Sequence, residues 1–301
     1  MTTNNKMSNS SAHAVTLLAA VISATFVSAT ATAAETDFDA VQITSELVAG
    51  KIHMLQGNGG NIGLSLGEDG VLIVDDQFAP LSDKIKAKIT ALGGDAPKYV
   101  LNTHWHGDHS GGNENFADKA TIIAHDNVYV RIADPANMRV PEALPDLTFD
   151  SGLTMHFNGE EIRLIHLPHG HTDGDTAIWF TGANVIHMGD EYVVGGFPFL
   201  DLESGGSAGG LVENHKKILA LIPDDIKIIP GHGPLSTKAE MAAWIKSVED
   251  SAKIITDQMA AGKKLDAIVA QGLPAQYDSM GGGFIDEKAY ITAVFTSTGA
   301  P

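Results

Sequence analysis

A dense run of metal-binding side chains, His104-Trp105-His106-Gly107-Asp108-His109, limits both the fold and the chemistry open to this chain. The run directly follows residues 99–101, an apolar segment with the composition of a buried strand. In an extended segment His104 and His106 project to the same side, so both can reach one ion. The turn at Gly107 lets Asp108 and His109 reach a second ion. Imidazoles this close together would repel one another once protonated unless a cation held them, so the run predicts a metal site rather than a chance cluster.

Three further candidate ligands each follow a predicted strand, namely His171, Asp190 and His232. A glycine precedes each of them, which permits close approach to an ion. Loops at strand ends are also where a rigid scaffold presents functional side chains. The chain has no cysteine, so any ion must be held by imidazole and carboxylate groups alone. Seven such ligands exceed the capacity of one tetrahedral site, and we therefore expect two divalent ions.

Eight other histidines compete for these roles: His13, His53, His125, His156, His166, His169, His187 and His215. His169 is the main competitor because it lies two residues before His171. The sequence context Gly-His-Thr-x-Gly favours His171 as the ligand. His187, three positions before Asp190, has the environment of an ordinary strand histidine.

The remaining sequence alternates strand and helix signals. Short Val- and Ile-rich runs bounded by turn residues predict strands at residues 48–55, 62–66, 71–74, 99–102, 162–167, 176–180, 185–188 and 226–229. Helical spacing predicts helices at residues 80–92, 208–220 and 237–261. Two facing sheets with helices outside account best for this order, which is an α/β fold with four αββα layers made from two similar halves. We expect a single domain over residues 34–301.

Taken together, these motifs resemble the metallo-β-lactamase superfamily over nearly the whole chain after residue 33. The resemblance implies an αββα sandwich with its metals at one edge. It implies one ion held by His104, His106 and His171, a second held by Asp108, His109 and His232, and Asp190 as a bridge. The best-known true β-lactamases have a cysteine at the position of Asp190, so the aspartate is more similar to glyoxalase II and lactonase members. Zinc is the default metal, and a carboxylate bridge without thiolate also suits manganese or iron.

Other polar groups are candidates for supporting roles. Asp75 and Asp76 follow the predicted strand 71–74, and Asp75 resembles the superfamily's buried carboxylate that steadies the His104 loop. A solvated turn is the alternative for both aspartates. Tyr192 lies in the apolar segment 191–200, which we expect to form one wall of the substrate pocket. Its hydroxyl is a candidate catalytic donor to an oxyanion, and a packed core tyrosine is the alternative.

The predicted activity is hydrolysis of a cyclic amide or ester. Two cations about 3.5–4 Å apart lower the pKa of a shared water, so hydroxide becomes available near neutral pH. Asp108 both binds an ion and can orient this nucleophile or shuttle its proton.

Residues 1–33 predict a cleaved export signal. The run 14–30 is apolar but too short and too rich in Thr and Ser for a membrane span, and Ala31-Thr32-Ala33 is a small-x-small cleavage site. This segment contains Lys6 and no acidic residue, so the net charge of −18 becomes −19 after cleavage. A surface this acidic repels phosphate backbones and argues against nucleic acid as a partner. We therefore expect a periplasmic or secreted enzyme for a small-molecule substrate, without stable membrane association after cleavage and with its oligomeric state left open.

Export makes β-lactam hydrolysis the leading expectation, although the segment 191–200 offers no Lys or Arg for a β-lactam carboxylate. A lactonase for acyl-homoserine or related lactones and a glyoxalase II-type thioesterase are alternatives. A non-heme iron oxygenase is the alternative from another class, and retention of His109 and His232 disfavours it.

Overall fold

The structure is a computed structural model that describes Met1, residues 36–137 and residues 139–299. Apart from Met1, the predicted export signal at residues 1–33 lies outside the described residues. The helices and strands all belong to the contact unit that begins at Asp37. Among the helices in these described ranges, none is long and apolar enough to cross a membrane.

The first half of the chain forms a seven-stranded sheet whose strands are neighbours in sequence order. Its strands are β1 (Thr44–Ala49), β2 (Ile52–Gln56), β3 (Ile62–Gly67), β4 (Gly70–Val74), β5 (Pro97–Leu101), β6 (Thr121–His125) and β7 (Leu147–Phe149). The pairs from β1 to β4 are antiparallel, and those from β4 to β7 are parallel. Parallel neighbours need crossover connections. These contain α1 (Ser82–Ala91), α2 (Gly107–Ser110), α3 (Asn113–Phe116) and α4 (Asp126–Ala133).

The second half forms a six-stranded sheet in the order β13-β12-β11-β10-β9-β8. Its strands are β8 (Gly152–Phe157), β9 (Glu160–Leu167), β10 (Asp175–Phe180), β11 (Val185–His187), β12 (Lys227–Ile229) and β13 (Ser236–Thr237). Only β11 and β12 pair in parallel within this described sheet. Its helices are α5 (Ala208–Leu221), α6 (Lys238–Ala260), α7 (Leu265–Gln271) and α8 (Glu287–Gly299).

Alternation along the strands explains why each sheet is covered on both faces. In β4, Leu72 and Val74 pack in the core between the two sheets, whereas Val71 and Ile73 pack in a separate core with the helices of the first half. Successive strand residues point to opposite faces, so a strand that is apolar throughout must be buried on both sides. The second sheet behaves in the same way against α5, α6 and α8. The result is four layers in the order helix, sheet, sheet, helix.

The αββα architecture expected from the sequence is confirmed, with one local correction and several additions. Residues 48–55 are not a single strand, because the chain turns at Gly50, whose φ is +53°, and returns as β2. The strands β6, β7 and β8 and the helices α4, α7 and α8 were not predicted. The predicted helices at 208–220 and 237–261 correspond to α5 and α6.

Candidate metal centre

All seven predicted ligands meet at one edge of the sandwich. The loop after β5 carries His104 and His106, and α2 carries Asp108 and His109. The loops that follow β9, β11 and β12 carry the other three, His171, Asp190 and His232. Local sequence explains the first four positions, since a short strand-to-helix turn places them side by side. The other three are brought there by the second sheet.

The first cluster consists of His104, His106 and His171. One ligand nitrogen from each lies within 4.8 Å of the others. His106 Nδ1 and His171 Nε2 are 2.8 Å apart. Three imidazoles that converge in this way can serve as the protein ligands of a tetrahedral metal site that keeps its fourth position open.

The second cluster consists of Asp108, His109 and His232. His232 Nε2 lies 3.4 Å from His109 Nε2 and 3.3 Å from Asp108 Oδ2. Asp190 stands between the clusters. Its Oδ1 is 3.0 Å from His109 Nε2, and its Oδ2 is 3.8 Å from His171 Nε2. The two oxygens therefore face different clusters, which is the placement that a bridging carboxylate requires.

Hydrogen bonds at the outer ring nitrogens orient the histidines. His171 Nδ1 donates to the carbonyl of Phe199 at 2.7 Å, which leaves Nε2 free to face the cluster. His106 is turned the other way, because its Nε2 lies 2.9 Å from the Asp201 carboxylate and its Nδ1 faces His171. A carboxylate on the outer nitrogen fixes the tautomer of a ligand imidazole and raises its basicity. Sequence reasoning missed Asp201, which lies 95 positions after His106 with no motif to mark it.

Asp75 positions His109 directly and His104 through Thr103. It is fully buried, and its carboxylate accepts hydrogen bonds from Thr103 N and Thr103 Oγ1, both at 2.7 Å. Its Oδ2 also lies 2.7 Å from His109 Nδ1, and Thr103 Oγ1 lies 3.0 Å from His104 Nδ1. The structure thus places Asp75 where the resemblance implied, beneath the His104 loop. Asp76 is also buried and accepts from Gly112 N, so neither aspartate is a solvated turn residue.

One orphaned atom supports the presence of a cation. His104 Nε2 is buried and has no hydrogen-bond partner among the described residues. Buried polar atoms are almost always satisfied, and a metal ion would satisfy this one. The converging nitrogen and carboxylate donors suit zinc, and also manganese or iron. The residues present therefore fit the divalent ions expected from the sequence.

The electrostatics of the two clusters differ. Burial, reinforced by the neighbouring imidazoles, lowers the pKa of His104 well below its usual value, and burial also lowers the pKa of His171. Burial alone would lower the pKa of His109 too, but the carboxylates around it raise that pKa well above the usual value. Against burial, hydrogen bonds to carboxylates raise the pKa of His232 to about 9. Burial would raise the pKa of Asp190, and the facing imidazoles hold it well below its usual range.

The competing residues take other positions. His169 is exposed, and its Nδ1 lies 3.1 Å from the carbonyl of Gly205, outside both clusters. His187 is buried and its Nε2 donates to the carbonyl of Asn61 at 2.9 Å, which makes it the ordinary strand histidine that its sequence context indicated.

The structure does not support the catalytic role predicted for Tyr192. Its side chain is 2% exposed and packs edge-on against Trp244, with ring centroids 5.1 Å apart. Its hydroxyl lies 2.8 Å from Ser236 Oγ, and Tyr192 does not line the cavity beside the ligands. The alternative of a packed core tyrosine fits these contacts. Residue 192 lies near the start of the segment 191–200, where the side chain of Tyr192 is still buried in the protein interior.

A cavity of about 920 Å³ opens beside the metal ligands. Residues 193–197 and Phe199 form one side of it, so the expected contribution of the segment 191–200 to the pocket wall is confirmed. Ser279 and residues 282–285, which sequence reasoning missed, also line the cavity. The protein ligands that reach the cavity are His106, Asp108, Asp190 and His232.

Two facing sheets that hold a cluster of His and Asp ligands at one edge define a class of metal-dependent hydrolases. A family model with the description "Metallo-beta-lactamase superfamily" matches residues 56–233, which is more than half of the 301-residue chain. The chain belongs to the metallo-beta-lactamase superfamily and is a metal-dependent hydrolase. The resemblance drawn from the His104 run is thereby confirmed.

The chain is similar to individual enzymes of more than one kind. The chain is 30% identical over 196 residues to hydroxyacylglutathione hydrolase of Rhodospirillum rubrum, covering 64% of this chain and 68% of that protein. It is 28% identical over 183 residues to hydroxyacylglutathione hydrolase of Methylococcus capsulatus, covering 60% of this chain and 64% of that protein. A metallo-beta-lactamase from Pontibacter korlensis superimposes with a TM-score of 0.60 at 15% identity, over 69% of this chain and 99% of the other. The last likeness shows the fold alone.

Proposed function

We propose that this enzyme hydrolyses a neutral carboxylic ester, lactone or thioester with two zinc ions, one in each ligand cluster. The observation on which the proposal rests is the chemistry of the cavity. Among its described lining residues, the titratable side chains are four of the metal ligands, and neither Lys nor Arg is present. The other lining residues are glycines, apolar side chains such as Phe78, Val193 and Ile285, and two uncharged polar side chains, Asn58 and Ser279. A charged group on the substrate that lies beyond the reach of the two ions would lose its hydration here without gaining a counter-charge.

The chain's own groups support hydrolysis. When bound, the two ions would polarise the substrate carbonyl and make a water nucleophilic near neutral pH. The carboxylate of Asp108 lines the cavity 3.3 Å from His232 Nε2, where it can accept the proton of the attacking water. Asp201 keeps the His106 ring oriented, and the ring of Phe199, 5.8 Å from that of His106, restricts water on this side.

β-Lactam hydrolysis, the leading expectation from the sequence, is the competing candidate. A β-lactam carries a carboxylate that needs a cation. The guanidinium of Arg139 approaches the cavity wall at Gly107, but it donates to the carbonyls of Ser110 and Trp105. Those bonds commit it to the backbone of the His104 loop. For the same reason a neutral thioester suits this cavity better than a glutathione thioester with its two carboxylates.

A substrate panel tests the proposal. Zinc-loaded protein beginning at Ala34 is assayed with a neutral lactone, a neutral N-acetylcysteamine thioester, a p-nitrophenyl ester, a glutathione thioester and nitrocefin. We expect at least about a tenfold higher kcat/KM for the best neutral ester than for the anionic substrates, since an unpaired buried charge costs more than about 1.4 kcal/mol. His104→Ala serves as the control and should remove every activity. Nitrocefin or the glutathione thioester as the best substrate would contradict the proposal.

We also propose that the protein is exported, on the basis of the apolar run 14–30 and the cleavage site Ala31-Thr32-Ala33. Protein recovered from its native host should then begin at Ala34 or Glu35, as read by N-terminal sequencing. Recovery of a cytosolic form that still begins at Met1 would contradict export and would remove the main support for a β-lactam substrate.

A further inference from the structure

An apolar part of the cavity wall, which we call the apolar arm, lies beside the metal ligands. Residues 194–199 and residues 282–285 form it together, and both segments line the same cavity. The arm begins at Phe199, whose ring centroid lies 5.6 Å from that of His171 and 5.8 Å from that of His106. Its inner end is therefore adjacent to the first ligand cluster.

Contacts with the C-terminal helices fix the segment 194–199 of the arm. Phe197 stacks on Tyr290 of α8 with ring centroids 4.3 Å apart, and its backbone N–H donates to the carbonyl of Met280 at 3.0 Å. Trp244 of α6 donates through Nε1 to the carbonyl of Gly196 at 2.8 Å. These bonds hold the segment in place before any substrate arrives, so the arm is preformed.

Glycines keep the arm open. A Cβ atom added at Gly196 or Gly282 would have no heavy atom within 4 Å, although both residues line the cavity. The two segments are in contact, because a Cβ at Gly283 would lie 3.8 Å from the Cα of Gly196. Neither Gly196 nor Gly282 has a positive φ, so side chains can be added there without backbone strain.

The ring of Phe284 extends the arm from Phe199 toward solvent. Phe284 is 91% exposed and Phe199 is 39% exposed, and their rings meet edge-on with centroids 6.1 Å apart. An aromatic side chain as exposed as Phe284 contributes little to folding. A bound apolar chain would cover it.

We propose that the apolar arm binds an unbranched acyl chain of the substrate, and that Gly196, Gly282 and Phe284 determine the chain length that is accepted. This rests on the proposed function, in which the scissile carbonyl lies at the first cluster. The group attached to the carbonyl carbon then lies beside Phe199, and the described lining along its path is apolar side chain and glycine backbone.

Binding without hydrolysis gives the first test. Unbranched primary amides from four to ten carbons are titrated into metal-free protein by calorimetry. A methylene that becomes fully buried contributes about fourfold in affinity, which corresponds to about 0.8 kcal/mol. We expect a rise of about two- to fourfold per methylene over this range, because the arm is partly open to solvent. Affinity that does not change with chain length would overturn the proposal.

Variants give the second test. Gly196→Leu and Gly282→Leu should reduce the gain from six to ten carbons to less than about twofold in total, because a leucine fills the space that the chain would occupy. Gly209→Leu is the matched control, since Gly209 also has no heavy atom within 4 Å of an added Cβ but does not line the cavity. Phe284→Ala should lower the gain per methylene, with Leu47→Ala, another exposed apolar residue, as its control. Equal effects of test and control variants would overturn the proposal.

Turnover separates this inference from the proposed function. In zinc-loaded protein, KM should fall along a series of N-acetylcysteamine thioesters with lengthening acyl chains, and should change little along a series of S-alkyl thioacetates. The opposite pattern would show that the arm receives the leaving group and would overturn the acyl assignment. If amide binding and its response to the variants are as expected but no ester, lactone or thioester is hydrolysed, the proposed function fails and the arm stands as a site for an apolar chain.

Discussion

The contrast in charge between the two ligand clusters leads to a measurable prediction for the metal-free protein. The pKa of His232 is raised to about 9, so at pH 7 its protonated form should outnumber its neutral form by about a hundredfold. His109, whose pKa is raised well above its usual value, should also be charged. His104 and His171, whose pKa values are lowered, should be neutral. His109 and His232 should therefore carry two protons more than His104 and His171 at the same pH.

The cause lies in the carboxylates, so changing one of them should move the pKa values. Asp190 Oδ1 is 3.3 Å from His232 Nε2 and 3.0 Å from His109 Nε2. An opposite charge at this distance shifts a pKa by about 1–3 units. Asp190→Asn keeps the size of the side chain and removes the charge, and it should lower the pKa of His232 from about 9 to about 8 or below.

Nitrogen-15 NMR of the histidine side chains measures these states directly, because imidazolium and neutral rings have different ring-nitrogen shifts. A pH titration from about 6 to about 10 should show His232 losing its proton near pH 9 in the metal-free protein. A neutral His232 at pH 7, or a charged His104, would refute the reasoning. So would an unchanged pKa of His232 in Asp190→Asn.

The same protons affect metal binding. A ligand imidazole must be neutral to bind a metal ion, so metal binding displaces its proton. At pH values below the pKa of that imidazole, the affinity for the metal should therefore rise about tenfold per pH unit for each proton displaced. Since a raised pKa keeps His232 and His109 charged at neutral pH, the affinity of the second cluster for zinc should rise steeply from about pH 6 to about pH 8. The affinity of the first cluster should depend far less on the protonation of His104 and His171. Zinc competition with a chelator over this pH range measures both slopes.

Four single substitutions test the remaining assignments. His169→Ala should keep full zinc content because that side chain lies outside both clusters. His171→Ala should lose the first ion. Loss of metal in His169→Ala but not in His171→Ala would contradict the ligand assignment. Asp201→Asn should weaken zinc binding by about 10–100-fold, since the His106 ring loses its carboxylate partner, and an unchanged zinc affinity would exclude this role. Tyr192→Phe should keep kcat within about twofold and cost about 1 kcal/mol of unfolding free energy for the lost hydrogen bond to Ser236, as followed by urea denaturation.

The layers of this fold and the ligands of its site could be predicted from the amino-acid sequence. Strand and helix periods are local properties, and a strand such as β4 that is apolar at successive positions must be buried on both faces. The run from His104 to His109 is equally local, because its spacing within six residues sets which side chains can face one ion. The later ligands were recognisable because each follows a strand and a glycine. The residues of both clusters were therefore anticipated, although the distances between them were not.

The support of those ligands and the shape of the cavity around them became visible only in the folded chain. Asp201 contacts His106 although the two residues are 95 positions apart, and the segment 282–285 lines the same cavity as the segment that begins at residue 193. Folding also turns Tyr192 toward Ser236 instead of toward the ligands. These contacts join segments that are distant in sequence, so no local period or spacing encodes them. They depend on how the second sheet and its helices pack, and packing is a property of the whole chain.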